Sequence, residues 1–228
     1  RRATHLKDYV IMRASHELRT PLTTILGRTQ LLRARLDKSG NAPENWVIFQ
    51  TDLATMEARA HHMRSLIDSL FDLSRVQAEV ITLPLPPCDL GSLCREVIEN
   101  QRLLSGRTIE LDLPPERLVI PADDKRLSQV LENLVSNAVK FSPDETPISL
   151  HVTATDEGVT LRVRNVAPTL SAEQRGYLFD PFYRTSEMEY SPIPGWGLGL
   201  TISKEIVERH GGQIWAEASA EREITLVV

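Results

Sequence analysis

Apolar residues recur every three or four positions through the first third of the chain, which is the period of an amphipathic helix. The first series predicts a helix over residues 4–38, and a turn at residues 39–43 separates it from a second helix. From Trp46 to Leu70 the apolar positions follow the seven-residue repeat of a coiled coil. Because one helical hairpin buries little apolar surface by itself, the pattern predicts a homodimer in which two hairpins form a four-helix bundle.

The periodicity changes beyond residue 81. Residues 81–87 include three prolines, which cannot continue a helix, so we interpret residues 82–88 as a linker between two domains, 1–81 and 89–228. The second domain is predicted to be an α+β sandwich, a mixed sheet with helices on one face. Its predicted strands cover residues 109–113, 118–120, 148–154, 159–163, 213–218 and 223–228, and its predicted helices begin at Asp89, at Asp123 or Asp124, and at Thr201.

The composition is that of an ordinary globular protein, with 41% hydrophobic and 25% charged residues among 228. No apolar run approaches the ~20 residues needed to cross a bilayer, and no signal peptide opens the chain. Cys88 and Cys94 fit neither a disulfide framework nor a metal site, which favours a reducing compartment, so we expect a cytoplasmic fragment. The chain opens in the approach to a helix, so we expect it to be part of a longer protein, and any membrane attachment to belong to an upstream region.

Charge is unevenly distributed along the chain. Residues 1–81 carry 12 basic and 9 acidic side chains, a net charge of +3, whereas residues 82–228 carry 14 and 22, a net charge of −8. A net negative second domain argues against nucleic acid as its partner. The shift in charge also supports a domain boundary near residue 82.

His16 lies off the apolar stripe of the first predicted helix. Ala14 and Leu18 belong to the stripe and lie two residues to either side, so His16 is rotated by about 200° from each of them and points to solvent. Glu17 can accept a hydrogen bond from one ring nitrogen and leave the lone pair of the other free, which makes the imidazole a usable nucleophile. Thr20 projects from the same face one turn later. The alternative is an ordinary solvated helix face.

A polar stripe lies on the long helix predicted to end near Phe141, opposite its apolar stripe. Asn133, Asn137 and Lys140 fall at positions i, i+4 and i+7. Amide oxygens can complete the shell of a magnesium ion already held by phosphate and water, and a lysine can contact phosphate. Asparagine is a poor helix former, so two of them aligned in mid-helix favour a functional role over a plain solvent-facing side.

A glycine-rich segment, GWGLGL at residues 195–200, runs straight into the last predicted helix. Glycines let backbone N–H groups approach phosphates, and the N-terminus of a helix adds partial positive charge there. Residues 185–194 precede this segment and form a short polar stretch with prolines near its end, as expected of a mobile lid over a triphosphate. Arg184 is a candidate contact for the γ-phosphate.

These motifs together resemble those of sensor histidine kinases. The sequence SHELRTPL at residues 15–22 resembles the phosphoacceptor box of the subgroup with a dimeric helical-hairpin acceptor domain. Residues 131–141 resemble the asparagine box, residues 179–184 the phenylalanine box and residues 195–200 the second glycine box. The resemblance covers nearly the whole chain and implies a helical hairpin followed by an α/β sandwich that binds ATP, of the histidine kinase and gyrase type.

The resemblance also assigns roles to individual residues. It implies that His16 accepts the phosphoryl group and that Glu17 orients and deprotonates the imidazole of His16. It also implies that Thr20 positions water for dephosphorylation of a partner. It implies that Asn137 holds Mg²⁺, that Lys140 contacts phosphate and that Phe141 flanks the adenine. The full set of candidate nucleotide-binding residues is Asn133, Asn137, Lys140, Phe141, Asn165, Arg184, Gly195, Gly197, Leu198, Gly199 and Leu200.

One box departs from the family pattern. Where the family has Asp-x-Gly-x-Gly-Ile, with the aspartate on the adenine amino group, this chain has NVAPTL at residues 165–170. Asn165 shares the parity of Val163, so it points inward, and its carbonyl oxygen can still accept a hydrogen bond from adenine. Such a neutral hydrogen bond is roughly half as strong as a charge-assisted one, and Ala167 and Thr169 add side chains where glycines would stand. We therefore expect weakened ATP binding.

The resemblance implies an ATP-dependent protein histidine autokinase of a two-component system, which phosphorylates His16 and passes the phosphoryl group to an aspartate of a response regulator. The alternative is a degenerate kinase, a dimeric binding module with weak ATP affinity, and the altered segment at 165–170 motivates it. A third possibility, an ATPase of the gyrase and mismatch-repair superfamily, shares the nucleotide motifs but leaves the helix around His16 unexplained.

Overall fold

The computed structural model describes residues 2–39, 46–78, 85–156, 158–168, 170–185, 195–218 and 223–228. The chain divides into two compact units, residues 1–72 and 73–228. The predicted fold class, a helical hairpin followed by a mixed α/β domain, is confirmed. None of the described helices contains a stretch long and apolar enough to cross a membrane.

Two long helices build the hairpin: α1 (Arg2–Ser39) and α2 (Trp46–Ala78). Their observed bounds agree with the predicted ones to within a few residues where both are described. The predicted turn at residues 39–43 begins inside α1, and its other residues lie outside the described ones. Pro21 lies within α1 and is buried, as is Ala14 two turns earlier.

A buried carboxylate joins the two helices. Asp52 of α2 is only 1% exposed, and both of its oxygens are engaged by arginines of α1. Arg28 donates to Oδ1, and Arg35 donates to Oδ2 at 3.0 Å. Because Arg28 and Arg35 lie seven residues apart on one face of α1, this ion cluster fixes how α1 and α2 pair along their length.

The predicted apolar stripe of α1 is only partly covered within a single chain. Leu18 and Ile25 are half-buried, but Leu22 is 46% exposed although it lies on the stripe. Large apolar side chains are exposed on both helices: Ile11, Met12, Leu22, Leu26, Leu31, Trp46, Val47, Ile48, Leu53, Ile67 and Phe71. The hairpin alone therefore leaves much of its apolar surface in contact with water.

The second unit is built on a five-stranded mixed sheet of order β2-β4-β5-β7-β6. Its strands are β2 (Ile109–Asp112), β4 (Ile148–Thr155), β5 (Gly158–Val166), β6 (Trp215–Ala218) and β7 (Glu223–Val227). Strand β2 runs parallel to β4, and the other pairs are antiparallel. A separate two-stranded ladder pairs β1 (Pro87–Asp89) with β3 (Val119–Pro121).

In the described part of this unit the helices are α3 (Leu90–Ser105), α4 (Asp124–Phe141), α5 (Ala172–Tyr177) and α6 (Gly199–Arg209). Alternate residues of the central strands are buried, including Leu150 of β4 and Val163 of β5, which are paired neighbours in the sheet. The apolar stripe of α4 packs over this face, and α4 also contacts α3 and α6. Its buried residues are Leu127, Val130, Leu131, Leu134, Val135 and Ala138.

Side-chain caps mark the first residues of α3, α4 and α5. Asp89 accepts a hydrogen bond from Ser92 N at the start of α3, and Asp123 accepts one from Arg126 N at the start of α4. The structure thus settles the choice between Asp123 and Asp124 as the cap of α4. At α5, Ser171 forms a capping box with Gln174.

A histidine ties the end of α6 to the start of α4. Nδ1 of His210 donates to Ile206 O at 2.8 Å, and Nε2 accepts from Asp123 N at 3.1 Å. The C-terminus of α6 therefore meets the N-terminus of α4, and the two helices run antiparallel. It follows that the N-terminus of α6 lies beside the middle of α4, where the polar stripe is.

Two elements were not foreseen. Pro87 and Cys88, which the sequence placed in the linker, belong to β1, where Cys88 pairs with Ile120; linker residues 82–84 lie outside the described part of the chain. A strand of three residues that begins with a proline is too short to show an alternating pattern in the sequence. Helix α5 was missed because its six residues contain no apolar repeat.

Candidate functional site

The first candidate site is the imidazole on α1. The side chain of His16 is 71% exposed, and Nδ1 lies 3.9 Å from Oε1 of Glu17. That distance is longer than a hydrogen bond, so Glu17 flanks the ring without bonding to it in this structure. Thr20 is also exposed, whereas Ala14 and Pro21 are buried. The helix is thus packed through one face and presents His16 from the other, in the direction that the helical phase predicts.

The second candidate site is formed by the polar stripe of α4 and the N-terminus of α6. Asn133 is half-buried, and its Nδ2 donates to Oγ of Ser203 at 2.8 Å. A Cβ added at Gly199 would overlap the Asn133 amide, so α6 begins in direct contact with α4. Asn133 therefore holds the start of α6 in place, a role that the sequence did not indicate because Ser203 lies 70 residues away.

Asn137, Lys140 and Phe141 follow Asn133 along α4. Asn137 and Phe141 are half-buried, and Lys140 is exposed as a whole residue. Desolvation around its ammonium group nevertheless lowers the pKa of Lys140 from the ordinary value of 10.5. A cation that is partly desolvated before any partner arrives is well placed to gain from an incoming anion.

The glycine-rich segment and the segment that resembles the phenylalanine box are interlocked. The N–H of Phe182 donates to Gly197 O at 3.0 Å, and Nη1 of Arg184 donates to Gly195 O at 3.1 Å. Gly197 has φ +67°, and a Cβ there would lie 2.6 Å from Tyr183 O, so no other residue fits. Arg184, the candidate γ-phosphate contact, thus donates to a backbone carbonyl in this structure.

The first turn of α6 offers several donors to an anion. Leu198 occupies the N-cap position without a side-chain cap, so N–H groups of the first turn lack intrahelical partners. The hydroxyl of Thr201 is buried and has no hydrogen-bond partner among the described residues. Orphan N–H groups, a buried hydroxyl and the positive end of the helix dipole together suit a phosphate. Thr201 was not among the predicted site residues.

Asn165 lies at the inner face of the sheet. It is 6% exposed and pairs with Ile148 of β4 and Ile224 of β7. Its Nδ2 donates to Ser142 Oγ at 3.0 Å and to Val166 O at 3.2 Å. The inward direction follows from strand parity, but Ser142, at the end of α4, was not foreseen as its partner.

The departure from the family pattern has a packing role. Ala167 is 5% exposed and forms an apolar cluster with Leu170 and Ile224, against which Leu178 packs. Thr169 lies outside the described residues, as do residues 186–194, most of the predicted lid. Thr185, at the start of that stretch, is buried.

Comparison with known families decides what the two sites belong to. Residues 7–79 match the His Kinase A (phospho-acceptor) domain, and residues 122–228 match the histidine kinase-, DNA gyrase B-, and HSP90-like ATPase. The chain belongs to the sensor histidine kinases. His16 lies within the first match, and both α4 and α6 lie within the second.

Individual sensor kinases resemble the chain over most of its length. Sensor protein VanS of Enterococcus faecium is 29% identical over 220 residues, which are 95% of this chain and 55% of VanS. The histidine kinase ThkA, solved in complex with the response regulator protein TrrA, superposes with a TM-score of 0.74 at 25% identity, covering 99% of this chain and 61% of that one. Full-length ShkA in complex with AMPPNP gives a TM-score of 0.63 at 27% identity, covering 96% of this chain and 44% of that one. The chain spans about half the length of the curated relatives it matches.

Proposed function

We propose that this chain is the kinase core of a two-component sensor and that it transfers the γ-phosphoryl group of ATP to its own His16. The observation that carries the proposal is that one chain combines two features. A helical hairpin presents an exposed imidazole, and in a separate unit the N-terminus of α6 offers donors suited to a phosphate. We assign the acceptor role to residues 1–81 and the nucleotide site to the domain after the linker, whose first strand begins at Pro87.

The nucleotide is held by groups of the second unit. The backbone of Gly195, Gly197, Leu198, Gly199 and Leu200, with the hydroxyl of Thr201, faces the phosphates. Lys140 adds positive charge, Phe141 flanks the adenine and Asn165 meets its amino group. The Asn137 amide oxygen is the ligand for Mg²⁺, an ion that prefers oxygen ligands and neutralises charge on the triphosphate when bound. ShkA was solved with AMPPNP, which supports ATP as the nucleotide.

At the first unit, Nε2 of His16 is the nucleophile, because Glu17 lies on the Nδ1 side of the ring. The Nε2–phosphorus bond forms as the bond from phosphorus to the β,γ-bridging oxygen breaks, and ADP leaves with that electron pair. Before transfer, Glu17 favours the tautomer with the proton on Nδ1, which leaves the Nε2 lone pair free. As the Nε2–phosphorus bond forms, Glu17 takes up the Nδ1 proton. Positioning and charge neutralisation, rather than covalent chemistry by the protein, supply most of the rate.

Two partners follow from the proposal. The exposed apolar residues of α1 and α2 suit a second copy of the hairpin, giving a homodimeric four-helix bundle. ThkA was solved with a response regulator, so the phosphoryl group is proposed to pass from His16 to a receiver aspartate. Thr20, on the face of His16, positions water for dephosphorylation of that regulator. The acidic second unit is not proposed to bind nucleic acid, and any membrane contact is left to an upstream region.

Incubation with γ-labelled ATP and Mg²⁺ tests the proposal. The wild-type chain is expected to acquire an acid-labile, base-stable label, which His16→Gln abolishes and His61→Gln, an exposed histidine on α2, leaves intact. Equal label on His16→Gln, or none on the wild type, would contradict the proposal. Mixing His16→Gln with a separately tagged Asn137→Ala variant then shows whether transfer runs within or between subunits.

A second candidate function is favoured by residues 165–170. Asn165 in place of an aspartate and Ala167 packed in an apolar cluster favour a dimeric binding module of weak ATP affinity as the second candidate. Calorimetry together with the labelling assay separates the two functions. Millimolar ATP affinity with no label favours the binding module, whereas micromolar affinity with label on His16 argues against it.

A further inference from the structure

The hydroxyl of Ser142 has only one way to meet Asn165. Ser142 Oγ donates its single proton to Ala138 O at 2.6 Å, so toward Asn165 it acts as an acceptor. Val166 O, the other atom that faces this amide, is also an acceptor. Two acceptors fix the facing atom as the NH₂ group, so the network determines which way the Asn165 amide is turned.

This orientation matters because an asparagine, unlike an aspartate, has two different ends. With Nδ2 committed to Ser142 and Val166, the carbonyl Oδ1 is the end left to a ligand. An oxygen accepts a hydrogen bond from a purine with a 6-amino group, whereas an NH₂ group in its place would donate to a purine with a 6-oxo group. Turning the amide over would therefore reverse which purine is favoured.

We propose that Ser142 is a positioning residue that sets base specificity: it holds the Asn165 amide with its oxygen toward the nucleotide, so that the site accepts a 6-aminopurine and disfavours a 6-oxopurine. This inference rests on the proposed binding of ATP at the second unit. A family member with aspartate at this position needs no such lock, since its two oxygens are equivalent.

Ser142 is itself firmly held. It is 7% exposed, so water competes little for its hydroxyl, and its N–H donates to Ala138 O at 3.1 Å. Arg107 donates to the carbonyls of the same loop, reaching Ser142 O at 3.4 Å, Pro143 O at 2.8 Å and Thr146 O at 2.9 Å. A hydroxyl fixed through its backbone on both sides can impose its geometry on the neighbouring amide.

The test is the ratio of dissociation constants for ATP and inosine triphosphate, whose base carries a 6-oxo group. The wild type is expected to prefer ATP, and Ser142→Ala is expected to narrow the ratio by about fivefold, the worth of one neutral hydrogen bond. Ser142→Thr keeps the hydroxyl and is expected to retain the wild-type ratio. An unchanged ratio in Ser142→Ala would overturn the inference.

An Asn165→Asp background separates orientation from simple loosening of the site. Its carboxylate has no donor end, so adding Ser142→Ala is expected to leave the ratio of the two nucleotides unchanged. A similar narrowing in both backgrounds would mean that Ser142 acts only on structure, and would contradict the inference. A wild type that binds neither nucleotide contradicts the proposed function itself. ATP binding without base preference contradicts only the positioning role of Ser142.

A second measurement needs no substitution at Ser142. In ¹⁵N-labelled wild type without nucleotide, the Asn165 side-chain amide protons, assigned by their loss in Asn165→Asp, are expected to exchange slowly with water. Asn165 is buried, and its NH₂ group donates to the buried Ser142 hydroxyl and to Val166 O. Rapid exchange of these protons would overturn the inference even if Ser142→Ala does not fold.

Discussion

Gly197 offers a sharp test of the glycine-rich segment. Its φ of +67° costs an alanine about 1–2 kcal/mol, and the alanine Cβ would lie 2.6 Å from Tyr183 O and 2.8 Å from Phe182 C. Both are backbone atoms that cannot step aside, so the segment itself must move away from the phenylalanine-box residues. We expect Gly197→Ala to lose at least about 2 kcal/mol of ATP binding, roughly 30-fold in dissociation constant.

Gly195→Ala is the matched control, because a Cβ there has nothing within 4 Å and Gly195 has an ordinary φ. Isothermal titration of both variants with ATP, with thermal unfolding of each recorded in parallel, makes the comparison. Gly195→Ala is expected to bind within a few-fold of wild type. If the two variants bind ATP equally well, the interlocked geometry at Gly197 does not shape the nucleotide site and the reasoning is refuted.

Two further predictions concern charge. Replacing Asp52 by alanine is expected to lower the free energy of unfolding of the hairpin by about 1–3 kcal/mol, since two arginines lose a buried acceptor. Urea unfolding of the His16→Gln chain with and without Asp52→Ala measures this loss. Equal urea midpoints for the two chains would contradict the prediction. Because desolvation lowers the pKa of Lys140 below 10.5, its charge is lost at lower pH than that of an exposed lysine, so ATP affinity is expected to fall as pH rises through that lowered value. Titrations from pH 7 up to the ordinary lysine pKa of 10.5 should show this fall in wild type and not in Lys140→Met. Parallel pH dependence of ATP affinity in both would refute the assignment.

Local periodicity carried the prediction of most elements. The stripe from Leu127 to Ala138 marked α4, and alternation marked β4 and β5, because both patterns are set by residues close in sequence. The strand β1 was not predicted from the sequence, because its three residues gain their structure only by pairing with β3, some 30 positions later. Leu22 lies on the predicted stripe and is still exposed, because periodicity marks a face of a helix but does not say what packs against it.

The candidate site divides in the same way. The outward His16 follows from helical phase and the inward Asn165 from strand parity, and both were predicted. The partners of these groups do not. Ser203 on Asn133, Ser142 on Asn165 and Gly195 O on Arg184 are contacts between distant segments, and only the packed fold specifies them.

The two hydrogen bonds between residues 182–184 and 195–197 clamp both ends of the intervening stretch, as the stem of a hairpin closes its loop. With the ends fixed, the entropy of closing such a loop grows only slowly with its length, by about 0.6 kcal/mol for each doubling. A change in the number of residues between Thr185 and Gly195 is therefore expected to cost little stability, because the two hydrogen bonds hold the flanking segments together.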